Sequence, residues 1–98
     1  MAHPRHQLNP HFNNPLRFSL MASLAGAESM TFQQAKDYLG TTDSTLSKHA
    51  SALEKEGYVK IDKHFVGKKA QTKFSLSKEG LRAWNDHLAA LKAIAEGP

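Results

Sequence analysis

The side chains in this sequence with chemistry to offer are lysines and short hydroxyls, and they are unevenly spread. Lys60, Lys63, Lys68, Lys69 and Lys73 lie close together and are opposed only by Asp62, a surplus of four that equals the formal charge of all 98 residues. The rest of the chain is balanced. Lysines grouped this way suit a polyanion, because each ammonium replaces a counterion condensed on a phosphate backbone. Upstream, Thr42, Ser44, Thr45, Ser47, Lys48 and Ser51 form a second polar group, short donors and acceptors around one long cation. His49 adjoins this group and His64 the lysines.

Other chemistries find no footing. No Ser-His-acid order, glycine-rich phosphate loop or pair of carboxylates can be assembled, so no enzyme is expected. The absence of cysteine removes disulfides, thiolate metal sites and thiol nucleophiles. Six histidines invite a metal reading, but His3, His6 and His11 are irregularly spaced around Pro4 and Pro10, and no second histidine follows Asp86-His87. Neither metal nor cofactor is expected.

The elements that must position these groups follow from size and pattern. With 40% apolar and 22% charged residues the chain is long enough for one small core. No run approaches the ~20 apolar residues of a membrane span, and the start carries no apolar signal core, so a cytoplasmic protein without a membrane partner is expected.

Residues 1–13 read as a polar arm with one short turn at most. Asn14 caps a first helix with Pro15 at its first position, and Leu16, Leu20, Met21 and Leu24 give its inner stripe up to Gly26. Ser29-Met30 suggests a very short strand. Thr31 and Gln34 make a capping box for a second helix, closed by Gly40. After Gly40-Thr41-Thr42 a third helix runs to about Glu56, with Leu46, Ala50 and Leu53 inward and Ser44, Lys48, Ser51 and Lys55 opposite.

The period then changes from 3.6 to 2. Residues 58–63 alternate, Gly67 turns the chain, and Thr72, Phe74 and Leu76 alternate again: a hairpin whose tip is Phe65-Val66-Gly67-Lys68-Lys69. Ser77 caps a last helix, 77–95, with apolar residues at Leu81, Trp84, Leu88, Leu91 and Ala95. Residues 96–98 form a tail to a single domain, 14–95.

Two helices joined by three residues with a glycine make a helix-turn-helix, and a hairpin directly after the second helix makes a wing. The plain readings, a solvated helix face and a charged hairpin edge that resists aggregation, hold for either group alone. Together and in this order they favour a DNA-binding face: Thr42, Ser44, Thr45, Ser47, Lys48, His49 and Ser51 on the recognition helix, Lys63, His64, Lys68, Lys69 and Lys73 on the wing. The expected fold is α+β but mostly α, a winged helix-turn-helix with a three-helix core, a two-stranded wing and a long C-terminal dimerisation helix.

The runs Leu46-Ser47-Lys48-His49, Leu53-Glu54 and Gly57-Tyr58-Val59, with Asn14-Pro15-Leu16-Arg17 before them and Leu76-Ser77-Lys78-Glu79-Gly80 after, resemble the short winged-helix transcriptional regulators of the MarR and ArsR type. The resemblance covers residues ~8–95 and implies a dimeric, double-stranded-DNA-binding regulator of transcription. The sequence departs from larger members in having neither metal-sensing cysteines nor extra flanking helices, and no small-molecule effector is assigned. The 3-4-3-4 spacing of Leu81, Trp84, Leu88, Leu91 and Ala95 suits helix pairing, so a homodimer is expected through these residues, with Leu8 and Phe12 against the partner's last helix. Such a dimer would read an inverted repeat. The alternative from another class is a winged helix used for protein or RNA contact.

Overall fold

The computed structural model describes residues 2–98. Its elements are α1 (Pro15–Ala25), β1 (Met30–Thr31), α2 (Phe32–Leu39), α3 (Asp43–Lys55), β2 (Val59–Val66), β3 (Lys69–Leu76) and α4 (Lys78–Glu96). Two short 3-10 turns, Pro4–Gln7 and Pro10–Phe12, precede them. The winged helix-turn-helix expected from the residue pattern is the observed architecture. Among the described residues no helix is long and apolar enough to cross a membrane.

The helix boundaries follow from local chemistry. The Asn14 side chain accepts from the backbone N–H groups of Leu16 and Arg17. Thr31 and Gln34 complete a reciprocal capping box, at 3.1 and 2.9 Å. Gly40 ends α2 at φ +62°, a left-handed conformation that turns the chain into α3 within three residues. The inward residues of α1 and α3 converge as expected except Leu16, which is only half-buried: Leu20, Met21, Leu24, Leu46, Ala50 and Leu53 are buried with Ala35 of α2, and Val59, Phe74 and Trp84 close the core from the sheet and α4.

The sheet exceeds the expected hairpin. β1 pairs antiparallel with β3, giving the order β1-β3-β2. The two long strands also run further, with pairing continuous from Val59↔Leu76 to Val66↔Lys69 around the two-residue turn Gly67-Lys68. The alternating pattern fades beyond Lys63 because the outer half of the hairpin meets solvent on both faces, while its backbone ladder continues.

The N-terminal residues correct two expectations. They are not a free arm, and Phe12 does not wait for a partner: it is 1% exposed and fills the core of its own chain. Its ring packs at 5.4 Å from Tyr58, 5.8 Å from Trp84 and 5.2 Å from His87. Asn9 clasps the segment in place. Its backbone N–H donates to His87 Nδ1 at 2.9 Å and its side-chain amide donates to the Tyr58 hydroxyl at 3.1 Å. His11 Nε2 lies 3.1 Å from Glu56. Trp84 is likewise buried within the chain, so it is no more available to a partner than Phe12.

His87 is therefore structural, a buried imidazole that serves as an acceptor. Burial lowers its pKa below the usual histidine value. The unfolded chain takes up a proton here that the folded chain resists, so stability is full above about pH 6.5 and declines as the pH falls toward the lower folded value. His49, also lowered by burial and by nearby Arg17 and Lys48, adds in the same sense. Melting temperatures should fall from pH 7.5 to 5, and His87→Gln should lose a clear share of that slope. An unaltered slope in the variant would remove His87 as its origin.

Candidate nucleic-acid interface

The first two turns of α3 stand clear of the rest of the chain. Ser44, Thr45, Ser47, Lys48 and Ser51 are all exposed, and no large apolar side chain interrupts them. Thr42 caps the helix. Its Oγ1 accepts from the Thr45 backbone N–H at 3.3 Å and donates to Thr45 Oγ1 at 2.9 Å. The Thr45 hydroxyl accepts in that pair, which leaves its own hydrogen free to donate outward. Asp43, an anion at the start of this face, is paired with Lys36 Nζ of α2 at 2.8 Å. That hydrogen bond and the Asp43 charge raise the Lys36 pKa, and the Lys36 ammonium offsets a charge that would repel phosphate.

His49 behaves differently from its neighbours. It is half-buried, and its Nδ1 accepts from Arg17 Nε at 2.9 Å. Burial, Arg17 and Lys48 keep the ring neutral at pH 7. Its role in this structure is to fasten α1 to the back of α3 and so fix the angle at which α3 is presented.

The β2–β3 register sorts the wing residues. Val59, Ile61, Lys63 and Phe65 share one face with Leu76, Phe74, Thr72 and Ala70. The other face carries Lys60, Asp62, His64 and Val66 with Ser75, Lys73, Gln71 and Lys69. Ile61, Lys63, Thr72 and Phe74 meet Ser47, Ser51 and Glu54 of α3 across a notch of about 530 Å³. Lys63 thus faces the recognition helix, Lys68 stands at the turn, and Lys69 and Lys73 lie on the outer face. All four are exposed.

His64 is not offered outward with the lysines. It is half-buried, with Nε2 2.9 Å from Gln71 Oε1 and Nδ1 3.2 Å from Asp62. Both contacts lie within the hairpin.

On α4 the expected seam divides. Trp84, His87 and Ala90 turn inward, whereas Leu81 and Leu88 remain 44% and 39% exposed, with Ala95 exposed and Leu91 half-buried along the helix. Leu8 is also half-buried. Sequence reasoning did not find the packing roles of Arg17, Asn9 and His87, whose partners lie far away in the chain and leave no local signal.

Comparison with known proteins places this geometry. Residues 16–95 match a family model described as a winged helix DNA-binding domain. An uncharacterised protein of Methanocaldococcus jannaschii, MJ0432, is 29% identical over 85 residues, 87% of this chain and 92% of that protein. The structure of a transcriptional regulator homologue from Pyrococcus horikoshii OT3 superposes with a TM-score of 0.88 at 26% identity, covering 99% of this chain and 97% of that one. YusO of Bacillus subtilis shares the fold, with a TM-score of 0.76 at 21% identity; 96% of this chain matches 66% of YusO. A zinc-responsive MarR family member, ZitR of Lactococcus lactis, shares it at a TM-score of 0.62 and 16% identity, over 84% of this chain and 56% of that one.

Proposed function

The chain belongs to the winged helix DNA-binding domain family, and from that premise we propose that it regulates transcription as a homodimer bound to an inverted repeat in double-stranded DNA. The observation that carries this reading is the unobstructed polar start of α3 beside a hairpin bearing five exposed lysines. α3 enters the major groove and presents Ser44, Thr45, Ser47 and Lys48 to base edges, while the wing lies along the sugar-phosphate backbone with Lys63, Lys68, Lys69 and Lys73. The face of α3 lacks the Arg, Asn or Gln that pairs bidentately with a base, so water and DNA shape share the recognition.

Dimerisation rests on α4. Leu81 and Leu88 recur at i and i+7 on its exposed side, and Ala95 continues the line. A second copy would cover this stripe and set two recognition helices about one DNA turn (~34 Å) apart.

Selection of bound duplexes from a random pool tests the proposal as a whole. A two-fold symmetric consensus is the expected result. An isolated half-site would reject the dimer, and retention without duplex preference or salt dependence would favour protein or RNA contact instead. In the same assay Lys48→Ala should flatten the consensus under α3, by about 1–3 kcal/mol of discrimination at the base it reads. An unchanged consensus would remove Lys48 from base recognition.

A further inference from the structure

The wing carries a feature that phosphate contact does not use. Phe65 is 73% exposed and Val66 57% exposed, at the end of the most lysine-rich element of the chain. A bare aromatic ring on a projecting hairpin forgoes burial and invites unwanted association. The surroundings do nothing to cover it. Its cross-strand neighbour is Ala70, too small to lie over a ring, and the next pair inward on that face is Lys63↔Thr72.

The backbone that carries the ring is paired on both sides of it. Pairing continues one step beyond it to Val66↔Lys69, and Gly67 closes the turn at φ +64°. Phe65 therefore stands on an ordered ladder. It shares the α3-facing side of the hairpin with Ile61, and four residues of strand carry it about 13 Å past the point where Ile61 lines the notch with α3.

We infer that Phe65 is a wedge: with α3 in the major groove, its ring enters the adjacent minor groove and partly opens a base step, so that binding bends the duplex. This inference rests on the DNA-binding reading above. Charge identifies the occupant. Lys63 shares the ring's face of the hairpin, Lys68 stands at the turn and Lys69 lies on the opposite face, and charged residues are depleted from the centres of protein interfaces. The same three cations would repel a second copy of this tip. A duplex offers the matching pattern, an apolar base stack bordered by phosphates, and apolar side chains with flanking cations open base steps in this way. The minor groove, ~6 Å wide, admits a ring edge. The step opened should be pyrimidine–purine, the kind that unstacks most readily.

The test uses the full chain and a duplex of roughly three helical turns carrying the wild-type consensus, end-labelled for energy transfer, with 2-aminopurine at the flanking TA or CA step. Wild type should shorten the end-to-end distance and raise 2-aminopurine fluorescence about threefold or more. Phe65→Ala should bind about tenfold more weakly with an unchanged salt slope and lose both signals. Phe65→Leu, which keeps an apolar wedge, should retain the bend, and Val66→Ala should leave it unaltered. A Phe65→Ala protein that bends and unstacks like wild type overturns the wedge while DNA binding stands. Failure of wild type to bind any duplex overturns both readings. A change in the sedimentation of free Phe65→Ala, with its DNA signals intact, would make the ring a contact between copies and also overturn the wedge.

Discussion

Gly80→Ala should destabilise the protein by about 3 kcal/mol or more. Helix propensity alone argues the other way, since Ala is favoured over Gly by about 1 kcal/mol inside a helix. Packing decides the sign. A Cβ at position 80 would overlap the carbonyl oxygen of Tyr58 and lie 2.8 Å from its carbonyl carbon. Both surfaces are backbone, so no rotamer relieves the overlap. The carbonyl cannot swing away without loss, because it accepts from the Ser77 backbone N–H at 3.1 Å. Ser77 Oγ also donates to the Gly57 carbonyl and accepts from the Gly80 N–H, tying the start of α4 to the start of β2. For a domain of this size the penalty corresponds to roughly 12 °C or more in melting temperature. Gly67→Ala is the comparison. Gly67 sits at φ +64° with open space around it, so its substitution should cost only about 1 kcal/mol of backbone strain. Equal effects at the two positions would disprove the close approach of α4 to Tyr58.

Binding should respond as strongly to the wing. Lys68→Ala combined with Lys69→Ala should weaken every duplex alike, by about a hundredfold or more at low salt. A dimer loses four cations in this variant. If each neutralises one phosphate, the slope of log K against log salt should become shallower by about 3–4. The consensus should be unchanged, because contacts to phosphate position the protein without reading sequence. The control is Lys78→Ala with Arg82→Ala, which removes the same charge from exposed positions on α4. Similar losses from both pairs would mean that net charge acts at long range and that the wing tip makes no contact. The comparison is informative because neither Lys68 nor Lys69 has an acidic partner among the described residues.

What the sequence revealed and what it concealed divide along the range of the interactions. Caps and turns depend on side chains two to four residues apart, so Asn14, the Thr31–Gln34 box, Gly40 and Ser77 marked their helices correctly. The polar face of α3 was legible for the same reason, since the burial of Leu46, Ala50 and Leu53 leaves the opposite side to solvent. The rotation of α4 was not. Its apolar residues suggested one continuous seam, but Gly80 lets the helix approach Tyr58 and Phe12 draws Trp84 inward. The role of His87 left no local trace because its partner, the Asn9 N–H, is 78 positions away. The lysine cluster identified the wing but not which lysine faces α3, which depends on a strand register that alternation alone did not carry past Lys63.

The clasp between Asn9, Tyr58 and His87 also dictates an order of events during synthesis. Residues 9–12 are made well before the imidazole that receives the Asn9 N–H, 78 positions further on. Until then Phe12 has neither Trp84 nor His87 to lie against. Residues 9–12 must therefore wait, unseated, until α4 has been made, and closure across these 78 positions follows the synthesis of that helix.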